Sequence, residues 1–217
     1  MDPTINYGAV ILAAGASSRM GRPKLLLPWG ATSVLGHLIQ QWQSAGAHQI
    51  GVVCAGGDVG ISAELARLSF PAQNRIINSA PGRGMFSSIQ CAARWPGWKP
   101  GLSHRIFALG DQPHLRLQTL QALIEFGRMH PDKICQPIRQ GRRRHPVLFP
   151  NHAFDRLRNA TDENLKQFLQ AMPGDLAGCE IDDPGLDIDI DIPSDYDRAR
   201  RLFDEQTRQV AERPGLT

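Results

Sequence analysis

Residues 9–24 read AVILAAGASSRMGRPK, an apolar run that stops abruptly in small residues and closes on cations. Ala9–Leu12 has the length and composition of a short buried strand, and Gly15 opens the turn behind it. Ala13, Ala14, Gly15 and Ala16 carry almost no side chain, so backbone N–H groups from Leu12 onward can approach an anion closely. Ser17 and Ser18 add hydroxyl donors; Arg19 and Lys24 add positive charge. A strand, a nest of amides and paired cations together suit a polyphosphate. Two familiar phosphate loops do not fit. A Walker loop needs G-x4-G-K-[ST], but five residues separate Gly15 from Gly21 and Arg22 follows. The dinucleotide fingerprint needs a third glycine, whereas Gly82-Arg83-Gly84 is followed by Ser87 and lies far down the chain.

Outward from that strand, strand-like and helix-like segments alternate. Leu35, Leu38, Ile39 and Trp42 share a helical face that Gly46 closes, and Ile50–Cys54 is the next strand. A helix on Ile61, Leu65 and Leu68, a strand at Arg75–Asn78, a helix over Met85–Arg94 and a strand at Ile106–Leu109 follow. Leu117, Leu120, Leu123 and Ile124 mark a further helix, with strands near Ile134 and at Pro146–Phe149. A short helix, a second over Leu165–Met172, a strand at Cys179–Ile181 and a terminal helix from about Ser194 complete the pattern. This alternation predicts an α/β fold, single-domain and Rossmann-like, with a mainly parallel twisted sheet and helices on both faces. The domain is expected to span residues 1–217, with a core over about 8–205 and a frayed tail at about 213–217.

Composition narrows the class. A 217-residue chain that is 41% hydrophobic can bury a full core, and a net charge of +3 gives no case for nucleic acid or membrane as partner. No apolar stretch has the length of a membrane span, and the N-terminal MDPTINYGAV has no basic region of the signal-peptide kind. Cys54, Cys91, Cys135 and Cys179 are scattered without a C-x-x-C pair and read as reduced core residues of a cytoplasmic protein.

Four further stretches carry charge or hydroxyls where chemistry could use them. Asp111, in Gly110-Asp111-Gln112-Pro113, ends an apolar strand at a carboxyl edge of the sheet, where open α/β sheets bind ligands. It can serve as a Mg²⁺ ligand or cap the next turn; the phosphate loop upstream favours the metal. The tract Asp187-Ile188-Asp189-Ile190-Asp191-Ile192-Pro193 alternates, which places three carboxylates on one face of an extended segment. Such a row is either a solvated face or a cation site. Arg139, Arg142, Arg143 and Arg144 surround Gly141 ahead of His145-Pro146, as a solvated loop or as an anion clamp for a second phosphorylated substrate. Gly82–Ser88 precedes a helix; Gly84 and its neighbours could offer backbone groups to a base edge, and Ser87 and Ser88 could cap the helix.

The segment Leu12–Lys24 resembles the signature of the MobA-like nucleotidyltransferases, L-A-[AG]-G-x-S-x-R-M-G-x-x-K, with every fixed position present. Its other motifs follow in family order as far as Tyr196. Gly84–Ser88 resembles G-M-S-S-S with Phe86 for the first Ser, Gly110–Pro113 resembles G-D-x-P, and Arg144–Phe149 resembles G-H-P-V-L-F with Arg144 for Gly. Asp189–Tyr196 resembles D-I-D-T-P-E-D-Y with Ile192 for Thr. The resemblance implies a nucleotide-diphospho-sugar-transferase-like fold and a Mg²⁺ (or Mn²⁺) cofactor held by Asp111 and by Asp191 or Asp189. It implies a nucleotide site made by Leu12, Ala13, Ala14, Gly15, Ser17, Arg19, Lys24, Gly84, Ser87 and Asp111. Arg19, Lys24 and Asp111 would be the catalytic residues, and Arg142, Arg143 and His145 the acceptor side. Ala14, where the guanylyl branch has Gly, resembles the cytidylyl branch that acts on molybdopterin. CTP and a phosphorylated pterin are then the expected substrates, with a molybdoenzyme or its chaperone as a further partner. GTP, a sugar phosphate as acceptor, or a non-catalytic nucleotide-binding accessory module are the other readings the motifs leave open.

Overall fold

The chain, a computed structural model that describes residues 5–211, builds its sheet around the strand that precedes the phosphate loop. From β1 (Tyr7–Leu12) it passes through a long loop, a small hairpin of β2 (Pro28–Trp29) and β3 (Thr32–Ser33), and α1 (Val34–Ser44) into β4 (Gln49–Ala55). It continues through α2 (Val59–Arg67), β5 (Arg75–Asn78), α3 (Met85–Arg94), β6 (His104–Leu109), α4 (Leu117–Met129) and β7 (Ile134–Arg139). The last part holds β8 (Arg142–Arg143), β9 (Val147–Pro150), α5 (Asn151–Arg156), α6 (Leu165–Gln170), β10 (Leu176–Glu180) and α7 (Pro193–Ala211). The expectations for residues 1–4 and 213–217 lie outside the described residues.

The main sheet runs β5-β4-β1-β6-β9-β7-β10, with β8 paired to β7. β1 is parallel to β4 and β6, β4 to β5, and β7 to β10. Among the described residues of this sheet, only β8 and β9 run against their neighbours. The reason is connection length: β7 turns directly into β8 at Gln140-Gly141 and β9 begins at Val147, a span too short for the helical crossover that a parallel neighbour requires. The predicted α/β fold with a mainly parallel sheet is therefore what forms.

Both faces of the sheet are covered, so its central strands are apolar on both sides rather than alternating. Tyr7, Ala9 and Ile11 of β1 face α1, α2 and α4 through Leu35, Leu38, Leu65, Leu120 and Leu123. Val10 faces the other way, toward Ile89 of α3, Phe154 of α5 and Phe168 of α6. At about 25 cal/mol per Å² of apolar area, each such buried Leu or Phe contributes ~1.5–3 kcal/mol. Helix α7 closes the first face: Ala199 is fully buried, and the rings of Phe203 and Trp29 lie 5.2 Å apart.

Three local expectations shift. β9 begins at Val147, because Pro146 has no N–H to give the ladder. β10 starts earlier than expected, at Leu176, where it finds Ile134 as its register partner. The acidic tract is not one extended row: Pro184–Asp187 forms a 3-10 turn, and residues 188–192 pair with no strand. Ile188 and Ile190 are drawn into the core, and the Ile190 N–H donates to the Asp111 carbonyl at 3.1 Å. Among the described residues, no helix is long and apolar enough to cross a membrane.

Candidate active site

The strand order decides where chemistry can occur. After β1 the chain builds outward through β4 and β5, then returns to place β6 on the other side of β1. The loops leaving β1 and β6 therefore part company at adjoining carboxyl ends, which is where open α/β sheets leave a crevice. Gly110 makes their approach possible. A Cβ there would stand 2.8 Å from the Leu12 carbonyl oxygen and 2.9 Å from Leu25 Cδ2.

The β1 loop is shaped from within. The Ala13 N–H donates to the Val53 carbonyl at 2.8 Å and its methyl is buried, so Ala13 anchors the loop rather than facing a ligand. Ser17 takes the left-handed conformation at φ 50°, and its Oγ accepts the Lys24 N–H at 3.2 Å, which folds the loop back on itself. Met20 plugs the core beneath, while Gly15 faces open space. Leu12, Ala14, Gly15 and Lys24 line a cavity of about 390 Å³, which falls within the range of small-molecule sites.

Lys24 is the hub of the site. Its Nζ donates to Asp111 Oδ2 at 2.9 Å and to the Ile190 carbonyl at 3.0 Å, and lies 3.8 Å from Asp191 Oδ1. Two segments far apart in sequence converge on one ammonium. Lys24 and Asp111 retain 17% and 19% side-chain exposure, so their attraction is only partly screened. Arg19 also reaches Asp191 Oδ1, at 3.1 Å, but is 70% exposed and adds little to stability. Asp111 Oδ1 is buried with no hydrogen-bond partner among the described residues.

That orphaned oxygen is the observation on which a metal can be judged. A hard cation such as Mg²⁺ or Mn²⁺ takes carboxylate oxygens and completes its shell with phosphate and water. Asp111 and Asp191, at 2.9 and 3.8 Å from Lys24 Nζ, offer two carboxylates of that kind; among the described residues no group of three or more metal-ligating side chains is gathered. Asp189 accepts from Gln112 Nε2 at 2.9 Å. Its carboxyl is raised above the ordinary carboxylate range, chiefly by lost water and then by the neighbouring charge of Asp111. The row of three like charges is resolved otherwise at Asp187, which pairs with Arg139 and Arg144.

On the opposite wall, Ala55, Asp58, Pro81, Gly82, Gly84, Met85 and Ser88 face the same cavity. Gly84 holds φ 87°, a conformation that L side chains rarely adopt. Ser87 does not line the cavity: its Oγ donates to the Gly84 carbonyl at 2.7 Å. Asn78, buried at the end of β5, donates to Ser87 Oγ and Ser88 Oγ at 2.9 and 3.0 Å and accepts the Ala80 N–H at 2.9 Å. The two serines thus brace the turn rather than cap α3.

The acceptor-side candidates separate. Gln140 and Gly141, at φ 51° and 69°, make a two-residue hairpin turn that sets Arg142 opposite Arg139. Arg142 and Arg143 are exposed on β8 and do not line the cavity; Arg139 and Arg144 turn toward Asp187 instead. His145 lies within the field of Asp111, but burial pushes its imidazole down to about 4, so it is uncharged at neutral pH. Like Arg142 and Arg143, it does not line the cavity.

Sequence reasoning missed Gln112 and Asn78 as supports. Gln112 adjoins Asp111, and Asn78 is a polar residue at the end of an apolar strand; both were visible, but their partners lie elsewhere in the chain.

Residues 9–176 match the MobA-like NTP transferase domain, and the chain belongs to that family. It is a nucleotidyltransferase by that membership. It is 26% identical to the molybdenum cofactor cytidylyltransferase of Escherichia coli (strain K12), over 90% of this chain and 96% of that protein. It is 28% identical to the molybdenum cofactor guanylyltransferase of Mesorhizobium japonicum, over 93% and 98%. Among solved structures, a nucleotidyl transferase from Methanothermobacter thermautotroptrophicus superposes with a TM-score of 0.75 at 25% identity, covering 93% of this chain and 99% of that one.

Proposed function

We propose that this protein transfers CMP from CTP to the phosphate of a molybdopterin-type acceptor and releases pyrophosphate. The observation that carries this reading is the Lys24–Asp111 contact at the parted ends of β1 and β6, where both residues line a nucleotide-sized cavity. The attacking group would be an acceptor phosphate oxygen, anionic already at neutral pH, so no general base is required. A P–O bond forms to the α-phosphorus as the α–β anhydride bond breaks, and pyrophosphate leaves with the electron pair. The work left to the protein is alignment and charge stabilisation. Lys24 and Arg19 would hold the triphosphate, and the N–H groups at Ala14–Ala16 would meet its oxygens. Asp111 with Asp191, and Asp189 beside them, would hold Mg²⁺. That ion, when bound, supplies charge neutralisation of the phosphate oxygens.

Names of relatives support a molybdenum-cofactor acceptor, but they include both a cytidylyl and a guanylyl enzyme. Ala14 favours CTP: its methyl lines the cavity and leaves less room beside a purine. A single catalytic unit in the cytoplasm is part of the same proposal. Pyrophosphate release with Mg²⁺, CTP or GTP, and molybdopterin tests it. CTP should give the larger kcat/KM, and Ala14→Gly should narrow the ratio by roughly 10-fold, within the range one methyl group supplies. A wild-type preference for GTP overturns the cytidylyl reading.

A further inference from the structure

The cavity crosses the carboxyl ends of four neighbouring strands, from Asp111 after β6, through the β1 loop, to Asp58 after β4 and Pro81 after β5. Three strand spacings make about 14 Å, room for a nucleotide lying across the sheet from pyrophosphate to base. The ammonium of Lys24 is held at the β6–β1 end, so the triphosphate belongs there. Asp58 stands two strands away, after β4 and short of the β5 end, and a second carboxylate in a site for a polyanion needs explanation. Its Oδ1 caps α2 by accepting the Ile61 N–H at 2.9 Å, which fixes the side chain in one orientation. Among the described residues, no side chain pairs with Oδ2. A cap alone would be met as well by Ser or Asn, as Ser33 and Asn164 show on α1 and α6. A carboxylate is acceptor-only, so away from a bridging cation it is tolerable near a nucleotide where the ligand presents donors.

We propose that Asp58 reads the exocyclic amine of the base and selects an amino-bearing nucleotide, cytosine above uracil. With one oxygen committed to the helix, the other is left to accept, which suits the N4 amine of cytosine. Uracil would set its O4, an acceptor, against the carboxylate. The assignment rests on the nucleotidyltransferase reading above, and its test needs no acceptor.

The test is calorimetric titration of the full chain with Mg²⁺–CTP, Mg²⁺–UTP and Mg²⁺–GTP, for wild type, Asp58→Asn and Asp58→Ser. Both variants keep the helix cap, and either one carries the test if the other does not fold. Wild type should bind CTP at least ~30-fold more tightly than UTP, the scale of one hydrogen bond to a charged group. In Asp58→Asn, whose amide can donate to O4, the ratio should fall to within about 3-fold, and inorganic tripolyphosphate should bind all three proteins equally. Several results overturn the assignment: no wild-type discrimination between CTP and UTP, an unchanged ratio in the variants, or equal weakening of all nucleotides, which would place Asp58 on the ribose. A wild type that prefers GTP, with a ratio of amino to non-amino bases that still collapses in Asp58→Asn, would sink the cytidylyl reading and keep Asp58 in its role.

Discussion

Replacing Lys24 by Ala removes an ammonium that bridges Asp111, Ile190 and Asp191, and its cost divides between stability and rate. In the resting protein it deletes hydrogen bonds of 2.9 and 3.0 Å to a carboxylate and a carbonyl that are partly shielded from water. Hydrogen bonds to charged groups are worth ~1.5–3 kcal/mol, but the cavity lets water reach Asp111 once the lysine is gone, so a net ~1–3 kcal/mol is expected. For a domain of this size that lowers Tm by about 3–10 °C, leaving the protein folded at 25 °C. In the reaction the same ammonium would stabilise charge developing on the triphosphate, a contact worth on the order of 3 kcal/mol or a rate factor of ~100. Rate should therefore fall much further than stability. Pyrophosphate release at saturating CTP, Mg²⁺ and acceptor, paired with thermal melting by circular dichroism, separates the two. A folded Lys24→Ala protein with kcat/KM within about 3-fold of wild type would show that the loop is not the triphosphate site.

Arg19→Ala should cost less, about 3–10-fold in rate with no change in Tm, because its ion pair with Asp191 is solvated; a loss equal to that of Lys24→Ala would count against this ranking. Asp111→Asn should reduce Mg²⁺ dependence and turnover more than Asp191→Asn or Asp189→Asn, since only Asp111 offers a buried unpartnered oxygen, and Mg²⁺ titration of activity in the three variants checks the order. Stability should fall on acidification: burial holds His37 and His145 near pKa 4 against an ordinary 6.5, so below about pH 6.5 the unfolded chain takes up protons that the folded one refuses. Full stability is present above that pH and drains away toward pH 4; His37→Leu should flatten the Tm profile over this window, and an unaltered slope would contradict it. Gly110→Ala should destabilise by ~1–3 kcal/mol and impair turnover, because the added methyl meets the Leu12 carbonyl at 2.8 Å; unchanged melting and activity would show that the two loops are not tightly apposed.

Features set by short-range physics are legible in the linear chain. The switch from an apolar run to small residues and cations at Ala9–Lys24 marks both a strand and a phosphate-suited loop, because strand burial and close backbone approach each depend on residues a few places apart. The helical faces at Leu35–Trp42 and Leu117–Ile124, and the strand ending at Asp111, are legible for the same reason, and all of them form. Which charges meet is a matter of long-range packing. Lys24 and Asp111 are 87 positions apart and Lys24 and Ile190 166, and only the order β4-β1-β6 brings their loops together. The same holds where local patterns misled. Alternation predicted a uniform row of Asp187, Asp189 and Asp191, yet each carboxylate meets a different distant partner: the arginines beside the β7–β8 turn, Gln112 after β6, and Arg19 of the β1 loop. Local periodicity sets which way a side chain points along its own segment. Its partner is set by the packing of the whole sheet, which no window of the sequence contains.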